Sequence, residues 1–263
     1  MEQNFLLALS LTLIAGISTG VGSILAVFVR RSNTKFLAFS LGISSGVIIY
    51  VSMVEILMKA REYLTGAMGT IAGSWVWVAS FFFGIILIGL VDFFIPSTES
   101  DIGSTEARPR AEALKRMGFM TAAAIMIHNF PEGMATFLSG LQDPHIGIAI
   151  AVAMAIHNIP EGIATSLPIY YATGNRRQAF WVSFFSGLTE PAGALVGYFI
   201  LRPFFGDVMF GILFGAVAGI MMFIALEELL PMAHACDENK SKVTILGVIL
   251  GMAVMAVSLL LFL

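Results

Sequence analysis

Two nearly identical phrases, Met126–Gly133 (MIHNFPEG) and Ala155–Gly162 (AIHNIPEG), set a histidine, an amide, a proline and a carboxylate inside long apolar runs. In each phrase His and Glu are four residues apart, and on a helix that spacing stacks them on one face. His128 and Glu132 can therefore grip one ion together, as can His157 and Glu161. Asn129 and Asn158 point about 100° away and can offer amide oxygens to an adjacent ion. Pro131 and Pro160 lack an N–H and cannot bond the carbonyls of Ile127 and Ile156, so each helix is expected to kink and free a backbone oxygen beside the ligands.

A third carboxylate, Glu190 in SGLTEPAG, also sits inside an apolar run. A charge near the bilayer centre costs roughly 2.5–3.5 kcal/mol on insertion scales. With no lysine or arginine in these runs, protons or bound cations must supply the compensating charge. Imidazoles, amides and carboxylates make a mixed nitrogen and oxygen set. It suits zinc and ferrous iron, and also manganese or cobalt, and lacks the thiolates of a copper(I) or closed structural zinc site. The bland alternative is a hydrogen-bonded cluster gluing helices together, which has no need of duplicated prolines. Glu55 in VSMVEILM and Glu227 in IALEELLP stand in comparable places and are weaker candidates for residues that hand an ion along a pathway.

The elements that must position these groups follow from composition. Hydrophobic residues make up 58% of the 263-residue chain and charged ones 12%, far from the usual soluble domain. Apolar runs of roughly 20 residues, enough to cross the hydrocarbon layer, give eight expected spans. They cover about Phe5–Val29, Phe36–Met58, Ile71–Ile95, Met117–Leu141, Ile146–Ala172, Ala179–Leu201, Phe204–Leu230 and Val243–Leu263. Recurrent glycines and the lack of strict alternation favour helices over a barrel. Ala124–Leu138 aligns with Ala153–Leu167, and consecutive spans joined at Leu141–His145 must run antiparallel. That implies a two-fold axis in the membrane plane, with the binding site at the repeat interface. The expected fold is an all-α membrane protein of eight transmembrane helices with an inverted repeat, kinked helices 4 and 5 at its core, forming one polytopic domain over residues 1–263.

Basic residues set the orientation. Arg30, Arg31, Lys35, Arg108, Arg110, Lys115, Arg116, Arg176, Arg177, Lys240 and Lys242 fall on one side, and only Lys59, Arg61 and Arg202 on the other. By the positive-inside rule both termini lie outside the cytoplasm of a cell-membrane protein. The N-terminal Met-Glu-Gln-Asn has no basic region, so its apolar segment reads as a retained span. Pro96–Arg116, rich in Ser, Thr, Pro and charge, reads as a flexible cytoplasmic loop. Trp75 and Trp77 read as interfacial, and Asp92 likewise. A net charge of −3 gives no reason to expect nucleic acid, and the single cysteine, Cys236, forms no internal disulfide.

The paired HNFPEG and HNIPEG on adjacent spans, within eight spans overall, resemble the ZIP (Zrt/Irt-like) family of divalent-metal transporters in its bacterial form. The resemblance covers essentially the whole chain. It implies uptake of zinc, iron, manganese, cobalt and cadmium as substrates rather than cofactors, a homodimer in the bilayer, and a binuclear centre. One metal would use His128, Glu132, His157 and Glu161. The second would use Asn129, Asn158 and Glu190, with Glu132 and Glu161 bridging. Many family members carry a histidine-rich loop where Pro96–Arg116 has none.

Rivals from other classes are an intramembrane zinc-dependent hydrolase and an ion channel or metal-sensing receptor. The hydrolase would need two histidines flanking a catalytic step and an open position for water, with a separate base. Here both phrases read His then Glu, with proline between them.

Overall fold

The computed structural model describes residues 2–28, 33–94, 107–201, 206–237 and 242–260, and among these every regular element is helical. Eight rods follow one another. They are α1 (Glu2–Val27), α2 (Thr34–Met68), α3 (Thr70–Phe94), α4 (Ala107–Gln142), α5 (Pro144–Thr173), α6 (residues 176–201), α7 (Asp207–Cys236) and α8 (Lys242–Leu260). Rods α2 and α7 each contain one π-helical turn, Val51–Ile56 and Ile224–Leu229, and α6 is divided at Leu188. The chain is an all-α membrane protein.

Local chemistry sets the ends of these rods. Asn33 opens α2 by accepting from the Phe36 amide at 3.0 Å, and Asn175 opens α6 by accepting from Gln178 at 3.1 Å. The α4–α5 connection is a single residue, shorter than expected. Asp143 accepts from the His145 amide at 2.8 Å, and Pro144 supplies the fixed φ of a first helical position. Gly69 and Gly174, at φ 79 and 71, take the positive-φ backbone that ends α2 and α5, Gly174 as a left-handed cap.

Six rods are long and apolar enough to cross a bilayer on composition alone; α4 and α6 are the other two. In α4 the mean is lowered by His128, Asn129, Pro131 and Glu132, and in α6 the break at Leu188 shortens the run. Two ends also differ from expectation. Rod α2 runs on to Met68, and α4 begins at Ala107, so residues 107–116 of the expected loop are helical. Residues 96–106 of that loop lie outside the described residues. Trp75 is exposed, whereas the Trp77 indole N–H donates to the Leu57 carbonyl at 2.8 Å and ties α3 to α2.

Glycine contacts trace the repeat through the whole bundle. A Cβ on Gly162 of α5 would overlap the Thr19 carbonyl of α1, and one on Gly133 of α4 would overlap the Glu190 carbonyl of α6. Gly22 meets the Ile159 carbonyl, and Gly193 meets that of Phe130. Gly133 and Gly162 are repeat mates, as are Phe130 and Ile159, so α1 and α6 are mates as well. Gly16 and Gly187 each face the other's carbonyl oxygen, the reciprocity a two-fold axis requires. Farther out, Gly46 meets Val248 and Gly251 meets Ile43, while Gly219 meets Phe81 and Gly84 meets Ala216. The α2–α8 pair is therefore repeated by α7–α3.

Where lipid is as apolar as the side chains, such backbone-to-backbone approach through small residues supplies the packing. Rods α3 and α8 are peripheral, with 17% and 28% of their apolar stretches buried against 67% in α2. The α4–α5 hairpin lies between the repeats, held by α1, α2 and α6.

Candidate metal centre

Rod α4 places His128, Asn129 and Glu132 in the interior, α5 places His157, Asn158 and Glu161 there, and α6 adds Glu190. None of the seven is more than 4% exposed. The four-residue spacing does what it dictates on a helix. His128 Nε2 lies 2.8 Å from Glu132 Oε2 one turn on. The antiparallel hairpin then brings in the second copy, with His157 Nε2 3.1 Å from Glu132 Oε1 and His128 Nε2 3.8 Å from Glu161 Oε1. Donor atoms of His128, Glu132 and His157 all lie within 4.8 Å of one another. Both helices continue through Pro131 and Pro160.

The asparagines use their amide nitrogens for architecture. Asn158 Nδ2 donates to the Ala15 carbonyl at 2.8 Å and to Glu190 Oε1, and Asn129 Nδ2 donates to the Ser186 carbonyl at 3.4 Å. This turns each amide oxygen the other way. Among the described residues the Oδ1 atoms of Asn129 and Asn158 and the Oε2 atoms of Glu161 and Glu190 are buried with no hydrogen-bond partner, and the His128 and His157 Nε2 atoms meet only the carboxylates of Glu132 and Glu161. Buried polar atoms are ordinarily paired, because leaving one unpaired forfeits its hydration. So many unpaired lone pairs converging between helices form a donor set that fits divalent transition metals of nitrogen and oxygen preference. Glu190 lies within electrostatic reach of Glu132, His157 and Glu161, which ties it to the same cluster.

The supports around these donors are backbone bonds. The Ser44 hydroxyl of α2 donates to the Pro160 carbonyl at 2.9 Å. Ser183 of α6 donates to the Gly162 carbonyl at 3.2 Å. Such bonds tie α5 to α2 and α6 beside the donors.

The two weaker candidates fare differently. Glu55 is bound by Lys59 at 2.8 Å and keeps a buried Oε2 that has no partner among the described residues. It lines a cavity of about 600 Å³ with Tyr50, Met58, Lys59, Glu62 and Met154, within electrostatic reach of His157. Glu227 is exposed on α7, and its neighbour Glu228 is buried. Glu55 and Glu228 hold the fifth place of their respective π turns, so the repeat pairs Glu55 with Glu228. The extra residue in each π turn shifts the helical face by one position, which simple spacing does not show.

Sequence reasoning also missed an ion cluster. Arg116 of α4 reaches Glu228 of α7 at 3.2 Å and pairs with Asp92 of α3. From the sequence alone Arg116 reads as a loop charge and Asp92 as interfacial. The α1–α6 equivalence was missed too, although a signal was present: Gly16, Thr19 and Gly22 have the spacing of Gly187, Glu190 and Gly193. His145 and His234 are exposed.

A bundle of eight helices with an internal repeat and a buried, cation-seeking cluster at the repeat interface has the architecture of a membrane transporter. The chain belongs to the ZIP zinc transporter family, which it matches over residues 96–259. It is 54% identical to the zinc transporter ZupT of Lysinibacillus sphaericus (strain C3-41), over 99% of each chain. Identity to the ZupT of Oceanobacillus iheyensis is 56%, over 98% of this chain and 99% of the relative. To that of Streptococcus mutans serotype c it is 54%, over the full length of both. This is a family of transporters rather than enzymes, and the hydrolase reading is left without support.

Proposed function

We propose that the chain carries zinc across the cell membrane into the cytoplasm through the α4–α5–α6 cluster, and that iron, manganese, cobalt and cadmium are further substrates. The observation that carries this reading is the convergence of buried His128, Glu132 and His157 donors within 4.8 Å in a chain of this family. One ion binds His128, Glu132, His157 and Glu161. A second binds Asn129, Asn158 and Glu190, with Glu132 and Glu161 bridging.

Transport follows from exposing this cluster alternately to each side. Every donor is a carboxylate, amide or imidazole, whose bonds to zinc exchange readily, so the site can release what it binds. Glu55, on the wall of its cavity and close to His157, passes the ion toward the cluster. Both termini lie outside the cytoplasm, residues 96–116 connect the two halves on the cytoplasmic side, and the working form is a homodimer. The asymmetry of basic residues supports the first two points.

The test is zinc influx into liposomes that hold the purified protein and an internal zinc-responsive dye, comparing the unmodified chain with His157→Ala and Glu161→Ala. Saturable influx lost in both variants, with circular dichroism unchanged, is the expected result. Influx that persists in both variants would remove the cluster from the pathway.

A further inference from the structure

Glu190 has a pseudo-symmetric mate on α1, and that mate is Thr19. The assignment rests on packing. Gly162 closes on the Thr19 carbonyl as Gly133 closes on that of Glu190, and the flanking Gly16 and Gly22 match Gly187 and Gly193. Their partners agree, since Asn158 donates to Ala15 and Asn129 donates to Ser186, residues four before Thr19 and Glu190 respectively. The operation that sets Glu190 beside Asn158 sets Thr19 toward Asn129.

We propose that the Thr19 hydroxyl is a further ligand of the transported divalent ion, acting with the Asn129 amide oxygen as the uncharged counterpart of the Glu190–Asn158 pair. This rests on the cluster being the transport site. Thr19 is 0% exposed, and among the described residues its Oγ1 has no partner, nor has Asn129 Oδ1. That is unusual for a hydroxyl on this helix. Thr12 donates to the Ala8 carbonyl at 2.9 Å and Ser23 to that of Thr19 at 3.1 Å, the ordinary way a helix absorbs such a group. Thr19 Oγ1 instead faces Gly187, next to the Ser186 carbonyl that anchors Asn129. A hydroxyl carries two acceptor lone pairs without a charge, so it can coordinate a hard or borderline cation weakly. A carboxylate in its place would complete a symmetric set of four. With threonine the set has three, and the ion is held less tightly on the α1 side, which favours release.

The experiment is calorimetric titration of zinc chloride into the purified protein in lipid nanodiscs, paired with liposome influx, for Thr19→Val, Thr19→Ser and Thr19→Glu. Thr19→Val, which keeps the shape and removes the hydroxyl, is expected to weaken zinc binding about 10–100-fold, the range found for groups that tune a metal site, and Thr19→Ser to restore it. Thr19→Glu is expected to bind zinc more tightly and to turn over more slowly. Wild-type binding and influx in Thr19→Val overturn the proposal, as does failure of serine to restore what valine loses. If valine prevents folding, unchanged affinity in Thr19→Glu overturns it instead. A silent Thr19→Val beside a His157→Ala that abolishes binding refutes only the role of Thr19. An unmodified protein that binds no zinc refutes the cluster as well.

Discussion

One carboxylate, Glu132, serves both imidazoles, with Oε2 2.8 Å from His128 Nε2 and Oε1 3.1 Å from His157 Nε2. Glu132 therefore joins α4 to α5. Glu132→Gln keeps the shape and removes the charge that both histidines and any bound cation share. Zinc affinity is expected to fall at least about tenfold, with saturable influx lost and the melting temperature little changed, as read by titration and liposome flux.

Protons and zinc compete for the same lone pairs, because a ligating imidazole must be neutral and a ligating carboxylate ionised. The sign follows directly. Lowering the pH protonates donors and weakens binding, so influx falls as the outside is acidified, and binding releases protons. Titrations in two buffers should give observed heats that differ by the number of protons released times the difference in the buffers' ionisation enthalpies.

Arg116 holds Glu228, which is 5% exposed, together with Asp92. Arg116→Ala would leave two carboxylates facing each other with no cation between them. Breaking a buried pair from one side costs about 3–5 kcal/mol, and the partial exposure of Arg116 and Asp92 puts this case at the lower end. Thermal unfolding in detergent should show a clear loss of stability. Adding Glu228→Gln and Asp92→Asn should recover much of it.

The repeat also predicts a contrast among glycines. Gly133→Ala and Gly162→Ala each press a methyl into a neighbouring carbonyl, costing about 1–3 kcal/mol by overpacking. Gly66 lies in the helical part of α2 with nothing within 4 Å of its added Cβ. Gly66→Ala is expected to gain up to about 1 kcal/mol from helix propensity. Unfolding midpoints of the three variants check both signs.

The amino-acid sequence by itself determined what is local or compositional. Apolar runs of membrane-spanning length make the helices, and a helix necessarily stacks His128 on Glu132 and His157 on Glu161. The duplication of that phrase on consecutive spans brings the two copies face to face. Tertiary structure decided the rest, because it depends on which distant backbones approach. Thr19 and Glu190 differ in side-chain type, and although the flanking glycines share a spacing, it is their contacts with Gly162 and Gly133 that establish them as mates. A π turn rotates Glu228 inward and Glu227 outward, a choice set by packing rather than by residue type. Arg116 became a cross-helix cation because α4 starts early enough to carry it to Asp92 of α3 and Glu228 of α7.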